Sequence, residues 1–153
     1  MNEKDNQDTK MIRGFLFACT DKSEEECING SVFATDKMYG PIVIRIRKGD
    51  LLFLNNIDTD TLLCLFRATS DGMPNISKDA FGGKYPYQVE KENIGELVKI
   101  ENAKKFLNGF GFKRNTILFK NKLLDLLYGI LCTQTQLNES TRKNNELILE
   151  IIQ

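Results

Sequence analysis

The side chains that could carry out catalysis are few and scattered. The chain contains no histidine, which removes the commonest general base and the commonest metal ligand. Its carboxylates at Asp58, Asp60 and Glu24–Glu26 stand where turns and helix starts favour acidic residues. A serine or cysteine nucleophile therefore has no evident base, and we expect a protein that is not an enzyme and uses no cofactor.

The cysteines indicate packing rather than metal binding. Cys19, Cys27, Cys64 and Cys132 have spacings that match none of the usual zinc motifs. Scattered cysteines in a chain of this length are typical of small buried residues in an intracellular protein. The apolar run Gly14–Cys19 is too short to span a membrane, and no signal peptide is visible. We expect a cytoplasmic or otherwise intracellular protein with no metal and no membrane partner.

Aromatic residues beside turn residues suggest a binding function. Phe33, Tyr39, Phe81, Tyr85 and Tyr87 lie in or next to predicted loops, and exposed rings can stack bases for ~1–3 kcal/mol each. The alternative is that these rings pack in the core and the nearby cations form a solvated face. A formal net charge of +0 argues for modest affinity for a phosphate backbone. The cations that could contact such a backbone are Arg45, Arg47, Lys48, Arg67, Lys78 and Lys84.

The elements that must position these residues begin with a strand and a helix. The apolar run Gly14–Cys19 predicts a strand that is buried on both faces. Ser23 and Glu26 have the spacing of a capping box, and Gly30 predicts the end of that helix. Further strands are predicted in residues 42–47, 51–56, 58–70, 85–91 and 96–100, and a short helix in 101–109. This order predicts an α+β fold on a mixed or antiparallel, barrel-like sheet.

The C-terminal part has a different pattern. Residues 120–153 are helical in composition, with two apolar clusters separated by a polar segment. We expect a mobile tail over residues 1–12, a domain over 13–119, and a helical segment over 120–153 that packs on the domain or leads to a partner. Because the second apolar cluster has no stop signal, this helix is expected to pair with a second copy or to continue into a fused domain.

Six short motifs follow one another along the chain, at Gly14–Phe17, Glu26–Ile28, Val32–Phe33, Gly49–Leu54, Leu65–Gly72 and Ala80–Val89. Together they resemble the DCD (development and cell death) domain, over roughly residues 14–115. The most specific is AFGGKYPYQV, which is similar to the family's A-F/W-G-G-x-F/Y-P-x-Q-V segment. Ala34 and Leu65 depart from the pattern, since many members have glycine there.

The DCD domain resembles the PUA-like superfamily, which includes the EVE and YTH domains. This resemblance implies a PUA-like mixed β-barrel flanked by helices, and a nucleic-acid ligand, RNA or DNA, whose modified or flipped base enters an aromatic pocket. The chain contains no tryptophan, so specificity for methylated adenine does not carry over. The alternative is a protein-interaction module of DCD type, involved in stress responses, with no nucleic-acid ligand. The ligand-binding residues that the analogy implies are Thr20, Asp21, Phe33, Ala34, Met73, Phe81, Gly82 and Gly83.

Overall fold

A computed structural model describes residues 12–133 and 139–153 of the chain. Strands and helices alternate through the first two thirds of these residues, and helices follow. The strands are β1 (Gly14–Cys19), β2 (Val32–Thr35), β3 (Leu51–Asn56), β4 (Thr61–Ala68), β5 (Met73–Pro74) and β6 (Tyr87–Glu101). The helices are α1 (Glu24–Asn29), α2 (Gly40–Val43), α3 (Ala103–Gly109), α4 (Lys120–Thr133) and α5 (Glu139–Ile152), with a 3₁₀ helix at Ala80–Gly83.

The strands form one strongly curved sheet in the order β1-β3-β4-β6-β2, and β5 pairs with β6. β1 and β3 are parallel, and the other pairs are antiparallel. The two end strands, β1 and β2, contact each other, so the sheet is a nearly closed barrel. The predicted α+β fold with a mixed, barrel-like sheet and flanking helices is confirmed.

Alternation along the strands sorts the apolar side chains into two clusters. The barrel cluster fills the concave side of the sheet, and the helix-side cluster lies between the sheet and the later helices. The barrel cluster includes Phe15, Phe17, Phe33, Leu52, Leu54, Leu63, Phe66 and Val89. The helix-side cluster includes Leu16, Leu51, Phe53, Leu62, Cys64, Phe112, Leu123, Leu126, Leu127, Ile130 and Ile148.

The C-terminal helices cover the helix-side cluster. The buried residues of α4, Leu123, Leu126, Leu127 and Ile130, have the spacing of one helix face. α5 contributes Ile148 and packs on β6. The chain's own helices therefore cover the apolar centre of this face of the sheet.

The strand predicted over residues 42–47 is wrong. These residues form α2 and the turns that follow it, where Ile46 N donates to Val43 O at 3.0 Å. Pro41 occupies the first turn of α2, a position that proline favours. Val43 and Ile46 are buried whereas Ile44 is 46% exposed, so burial follows a turn and not the alternation of a strand.

The two strands predicted over residues 85–91 and 96–100 are halves of one strand, β6. Its pairing with β4 changes register between Cys64 and Phe66. Gly95, at a φ of 68°, lies within the irregular stretch of β6. A bulge of this kind bends a strand without ending it, which explains why the sequence pattern is interrupted.

Candidate ligand cleft

A cleft of about 420 Å³ opens where β1 and β2 end. Its volume lies within the range of small-molecule sites in proteins. Its walls come from the β1–α1 turn, α1, the end of β2, the β3–β4 turn and the loop that contains the 3₁₀ helix. The lining residues are Ala18, Cys19, Thr20, Lys22, Ser23, Glu26, Cys27, Ala34, Thr35, Asp36, Ile57, Phe81, Lys84, Tyr85 and Arg114.

The β1–α1 turn is held by local hydrogen bonds. Thr20 O accepts from Ser23 N at 3.1 Å and from Glu24 N at 2.9 Å. Thr20 N donates to Ser23 Oγ at 3.1 Å, so the serine contacts the turn rather than capping α1 with its side chain. These bonds fix Thr20 at the mouth of the cleft.

Asn56 connects this turn to the β3–β4 turn. Its side chain is fully buried, and Nδ2 donates to Asp21 Oδ1 at 3.0 Å and to Glu24 Oε1 at 3.1 Å. Its Oδ1 accepts from Asp58 N at 2.9 Å and from Thr59 N at 3.2 Å. Four hydrogen bonds from one buried amide fix the relative position of the two turns.

Phe81 forms one wall in an unusual backbone conformation. Its φ and ψ are 54° and 33°, in the left-handed region. Among the described residues, the other non-glycine residues with positive φ are asparagine or aspartate, which tolerate this region better than phenylalanine does. Glu26 Oε2 accepts from Phe81 N at 2.6 Å and helps to hold the strained residue in place. The Phe81 ring packs against that of Tyr85, with centroids 6.0 Å apart.

The conformation of this loop explains the glycines and the glutamine of the AFGGKYPYQV motif. Gly82 and Gly83 follow Phe81 with φ of 66° and 76°, which favours glycine. Gln88 is buried, accepts from Ser77 N at 2.7 Å, and donates to Tyr85 O at 3.0 Å. The motif's glycines therefore shape the turn, and its glutamine ties the loop to β6.

Three cations and two carboxylates line the cleft. The cations are Lys22, Lys84 and Arg114, and the carboxylates are Glu26 and Asp36. In the part of the chain that the structure describes, neither lysine forms an ion pair within 4.0 Å. Two free ammonium groups beside a cleft suit an anionic ligand.

Arg114 is held in a defined orientation. Its guanidinium lies 3.8 Å from the centroid of the Tyr39 ring. Its Nη2 donates to Thr35 Oγ1 at 3.1 Å. A guanidinium has five N–H donors, so most of them remain available to a ligand.

Two thiols, Cys19 and Cys27, line the cleft, and Lys91 is buried beside the ring of Phe33. A hydrogen bond with Cys27, together with burial, raises the pKa of the Cys19 thiol far above its ordinary value, so it stays neutral. Burial lowers the pKa of Lys91, whose Nζ donates to Ile28 O at 2.8 Å. The same ammonium lies 5.2 Å from the ring centroids of both Phe33 and Phe66. Both groups are therefore fixed by their surroundings, Cys19 as a neutral thiol and Lys91 by a hydrogen bond and two rings.

The structure brings together Thr20, Ala34, Phe81 and Lys84 from the residues predicted by sequence. Phe33 requires a correction, because it is 1% exposed and lies in the barrel cluster. Its ring packs against Phe66, with centroids 4.8 Å apart, so it supports the cleft from below and offers no face to a ligand.

The other predicted ligand-binding residues lie outside the lining. Asp21 is exposed, and its carboxylate accepts a hydrogen bond from the Asn56 side chain. Met73 lies on β5, pairs with Gln88 of β6, and is 44% exposed. Gly82 and Gly83 belong to the turn behind Phe81. The remaining predicted cations, Arg45, Arg47, Lys48, Arg67 and Lys78, are also absent from the cleft wall.

Sequence reasoning missed Lys22, Glu26 and Arg114 as members of this site. Tyr85, one of the aromatic residues beside predicted loops, is 36% exposed and lines the cleft. Arg114 has no local signal, because its partner Thr35 is 79 residues away along the chain. Within residues 12–133 and 139–153, no group of three or more histidine, cysteine or acidic side chains could hold a metal ion. No helix in those ranges is long and apolar enough to cross a membrane.

Comparison with models of protein families shows to which family this chain belongs. The model of the development and cell death domain matches residues 13–108, more than half of the chain. The chain belongs to this family. The DCD domain extends from the residue before β1 into α3 and contains the whole cleft except Arg114. A comparison with curated proteins finds no match.

Solved structures share the fold of this DCD domain. A complex described as "YTH domain-containing protein mmi1 and RNA complex" has a TM-score of 0.54 and 12% identity, over 83% of this chain and 88% of that chain. The Mmi1 YTH domain has a TM-score of 0.57 and 13% identity, over 80% and 76%. A second Mmi1 YTH complex with RNA has a TM-score of 0.56 and 13% identity, over 79% of each chain. The predicted YTH-like fold of the DCD domain is confirmed.

Proposed function

We propose that this DCD domain binds single-stranded nucleic acid through the cleft, with one unpaired or flipped base against the wall formed by Phe81 and Tyr85. The observation that carries the proposal is the combination of an aromatic wall with unpaired cations around one cleft of about 420 Å³. Aromatic platforms with adjacent cations are the common means of binding single strands. The RNA complexes among the structural neighbours support the same class of ligand.

The parts of the cleft have separate roles in this proposal. The wall made by Phe81 and Tyr85 contacts the face of the base, and Thr20 and Ala34 border its entry. Lys22, Lys84 and Arg114 contact the phosphates on either side. With about three phosphate contacts on a single strand, log Kobs should fall against log salt concentration with a slope of about −2.

The base pocket is not an aromatic cage. Phe81 and Tyr85 meet at 60°, and no tryptophan is present in the chain. Small residues, including Ala18, Ala34 and Cys27, line much of the remaining wall. This lining supports binding of a base on one aromatic side only, so methylation of the base should change affinity little.

Fluorescence anisotropy with labelled RNA and DNA oligonucleotides at low salt tests the proposal. Each oligonucleotide is compared in unmodified and N6-methyladenine forms. The expected result is saturable binding that falls about tenfold or more in Phe81→Ala. Phe119→Ala is the matched control, because Phe119 is 54% exposed and lies outside the cleft.

A folded protein that binds none of these oligonucleotides would overturn the proposal. The alternative of a protein-interaction module without a nucleic-acid ligand would then stand. Binding that Phe119→Ala and Phe81→Ala weaken equally would place the ligand elsewhere and would also contradict the proposal. Circular dichroism of both variants shows whether each retains the wild-type secondary structure.

A further inference from the structure

We infer that Glu26 makes the cleft select bases that carry an exocyclic amino group over uracil and thymine. This inference rests on the proposed function and assigns a ligand preference to the same cleft. It starts from the position of Glu26, which lies on α1 and lines the cleft beside Phe81.

The carboxylate of Glu26 is fixed by one of its two oxygens. Oε2 accepts from Phe81 N at 2.6 Å, a short bond of the charge-assisted type. Since the same residue, Phe81, supplies the aromatic wall, the carboxylate and the ring are held together. A base that stacks on this wall therefore brings one of its edges near Glu26.

The second oxygen of Glu26 remains available. Among residues 12–133 and 139–153, no hydrogen-bond partner contacts Oε1, and no cation lies within ion-pair distance of the carboxylate. An ionised carboxylate only accepts hydrogen bonds. The cleft thus contains a hydrogen-bond acceptor in a fixed position, which favours a ligand that carries a hydrogen-bond donor.

Asp36 adds a second acceptor of the same kind. Its Oδ1 accepts from Met38 N at 3.0 Å, which orients the carboxylate. Its other oxygen has no hydrogen-bond partner in the part of the chain that the structure covers. Both carboxylates of the cleft therefore favour a ligand edge that donates.

Cytosine and uracil differ in the group that this site would contact. Cytosine carries an N4 amino group, which donates to glutamate or aspartate, whereas the corresponding O4 of uracil is an acceptor. A carboxylate opposite O4 leaves two acceptors facing each other without a proton between them. We therefore expect oligocytidylate to bind about tenfold more tightly than oligouridylate.

Anisotropy titrations of eight-nucleotide oligocytidylate and oligouridylate test the inference with three proteins. In Glu26→Gln, the amide oxygen can still accept from Phe81 N, and the amide nitrogen then places a donor where the wild type has an acceptor. The expected result is an approximately tenfold preference for oligocytidylate in the wild type that is lost or reversed in Glu26→Gln. Glu25→Gln, on the same helix but outside the cleft lining, keeps the wild-type ratio.

The outcomes separate this inference from the proposed function. No binding of either oligonucleotide by folded wild-type protein overturns the proposed function and the inference together. Binding of both with equal affinity, or a preference for oligouridylate, overturns the inference alone. An unchanged ratio in Glu26→Gln also overturns it. If that variant does not fold, the wild-type ratio and that of Asp36→Asn decide: the preference for oligocytidylate should be reduced in Asp36→Asn but kept, because Glu26 remains, and its complete loss there would overturn the inference.

Discussion

The two sides of the curved sheet are completed in different ways. The helix-side cluster is covered by α4 and α5, and its residues Leu123, Leu126 and Leu127 are fully buried. The barrel cluster is also apolar at its centre, but at the ends of β1 and β2 it gives way to a cleft with charged walls. One side therefore serves stability, whereas the other supports a surface that can bind a ligand.

The contrast is also visible in what each side buries. The helix-side cluster contains Cys64, a small thiol with no charge to satisfy. The barrel side has the ammonium of Lys91 beside the packed rings of Phe33 and Phe66, held by Ile28 O and Asn93 Oδ1. Burying a charge is unfavourable unless hydrogen bonds and rings compensate it, so the barrel side has the more demanding requirements for burial.

The largest expected effect compares two buried rings, one from each cluster. Phe33→Ala and Phe53→Ala should each lower the free energy of unfolding by ~3–5 kcal/mol, because both rings are fully buried. Urea denaturation measures both changes. Phe81→Ala should cost less, since its ring lies at the edge of the cleft and is 9% exposed.

Two outcomes of these stability measurements would contradict the assignment of the rings. If Phe33→Ala kept wild-type stability and lost ligand binding, Phe33 would belong to the binding wall and the assignment to the core would be wrong. Phe81 belongs to the same barrel cluster, and a cost for Phe81→Ala equal to that for Phe33→Ala would contradict its position at the edge of the cleft.

The second prediction uses alkaline pH, which should act in opposite directions on the two sides. Burial raises the pKa of Cys64 from 9.0 to about 12, so its stabilisation is complete below pH 9 and is lost as the pH rises to 12. The loss amounts to at most about 4 kcal/mol. The pKa of Lys91 is lowered from 10.5, so its contribution to stability increases as the pH rises towards 10.5.

Urea denaturation between pH 8.5 and pH 11.5 separates these contributions, and the slope of stability against pH is the quantity compared. Cys64→Ala should reduce the alkaline loss of stability, and Lys91→Met should make that loss steeper. Cys132→Ala is the control for the thiol, because Cys132 is exposed. Identical slopes in all four proteins would contradict the burial of both groups.

The parts of the fold that sequence predicted correctly depend on local patterns. β1 is a continuous apolar run, and α3 lies between a turn and Gly109, so neither needs distant information. Residues 42–47 misled the prediction because the apolar side chains alternate like those of a strand. Contacts from elsewhere decide there, since Gly72 N donates to Ile46 O and fixes the turn.

The candidate site could be predicted only in part, because some of its residues are also placed by contacts that are distant in sequence. Phe81 lies in a family motif whose glycines encode the local backbone shape, and Thr20 is implied by the analogy with YTH domains. Arg114 enters the cleft by stacking on Tyr39, and no pattern near either residue indicates that contact. Phe33 and Phe81 have the same residue type and both belong to the barrel cluster, yet only Phe81 lines the cleft, and no local pattern separates them.

The third prediction concerns the cations and has the smallest expected effect. Lys84→Gln and Arg114→Gln should each make the slope of log Kobs against log salt shallower by about 0.7, since each removes one phosphate contact. Lys105→Gln, which changes the same charge on α3 and away from the cleft, should leave the slope unchanged. Equal changes in all three variants would indicate attraction by overall charge rather than by the cleft.

The most direct measurement of the central claim is a map of amide chemical shifts as an oligocytidylate is titrated into isotope-labelled protein. The account predicts that the largest changes cluster at the cleft, including Thr20, Ala34 and Lys84, with little change on the buried face of α4. Changes confined to the turn that carries Arg45, Arg47 and Lys48 would contradict the account, because they would place the nucleic acid on a surface outside the cleft.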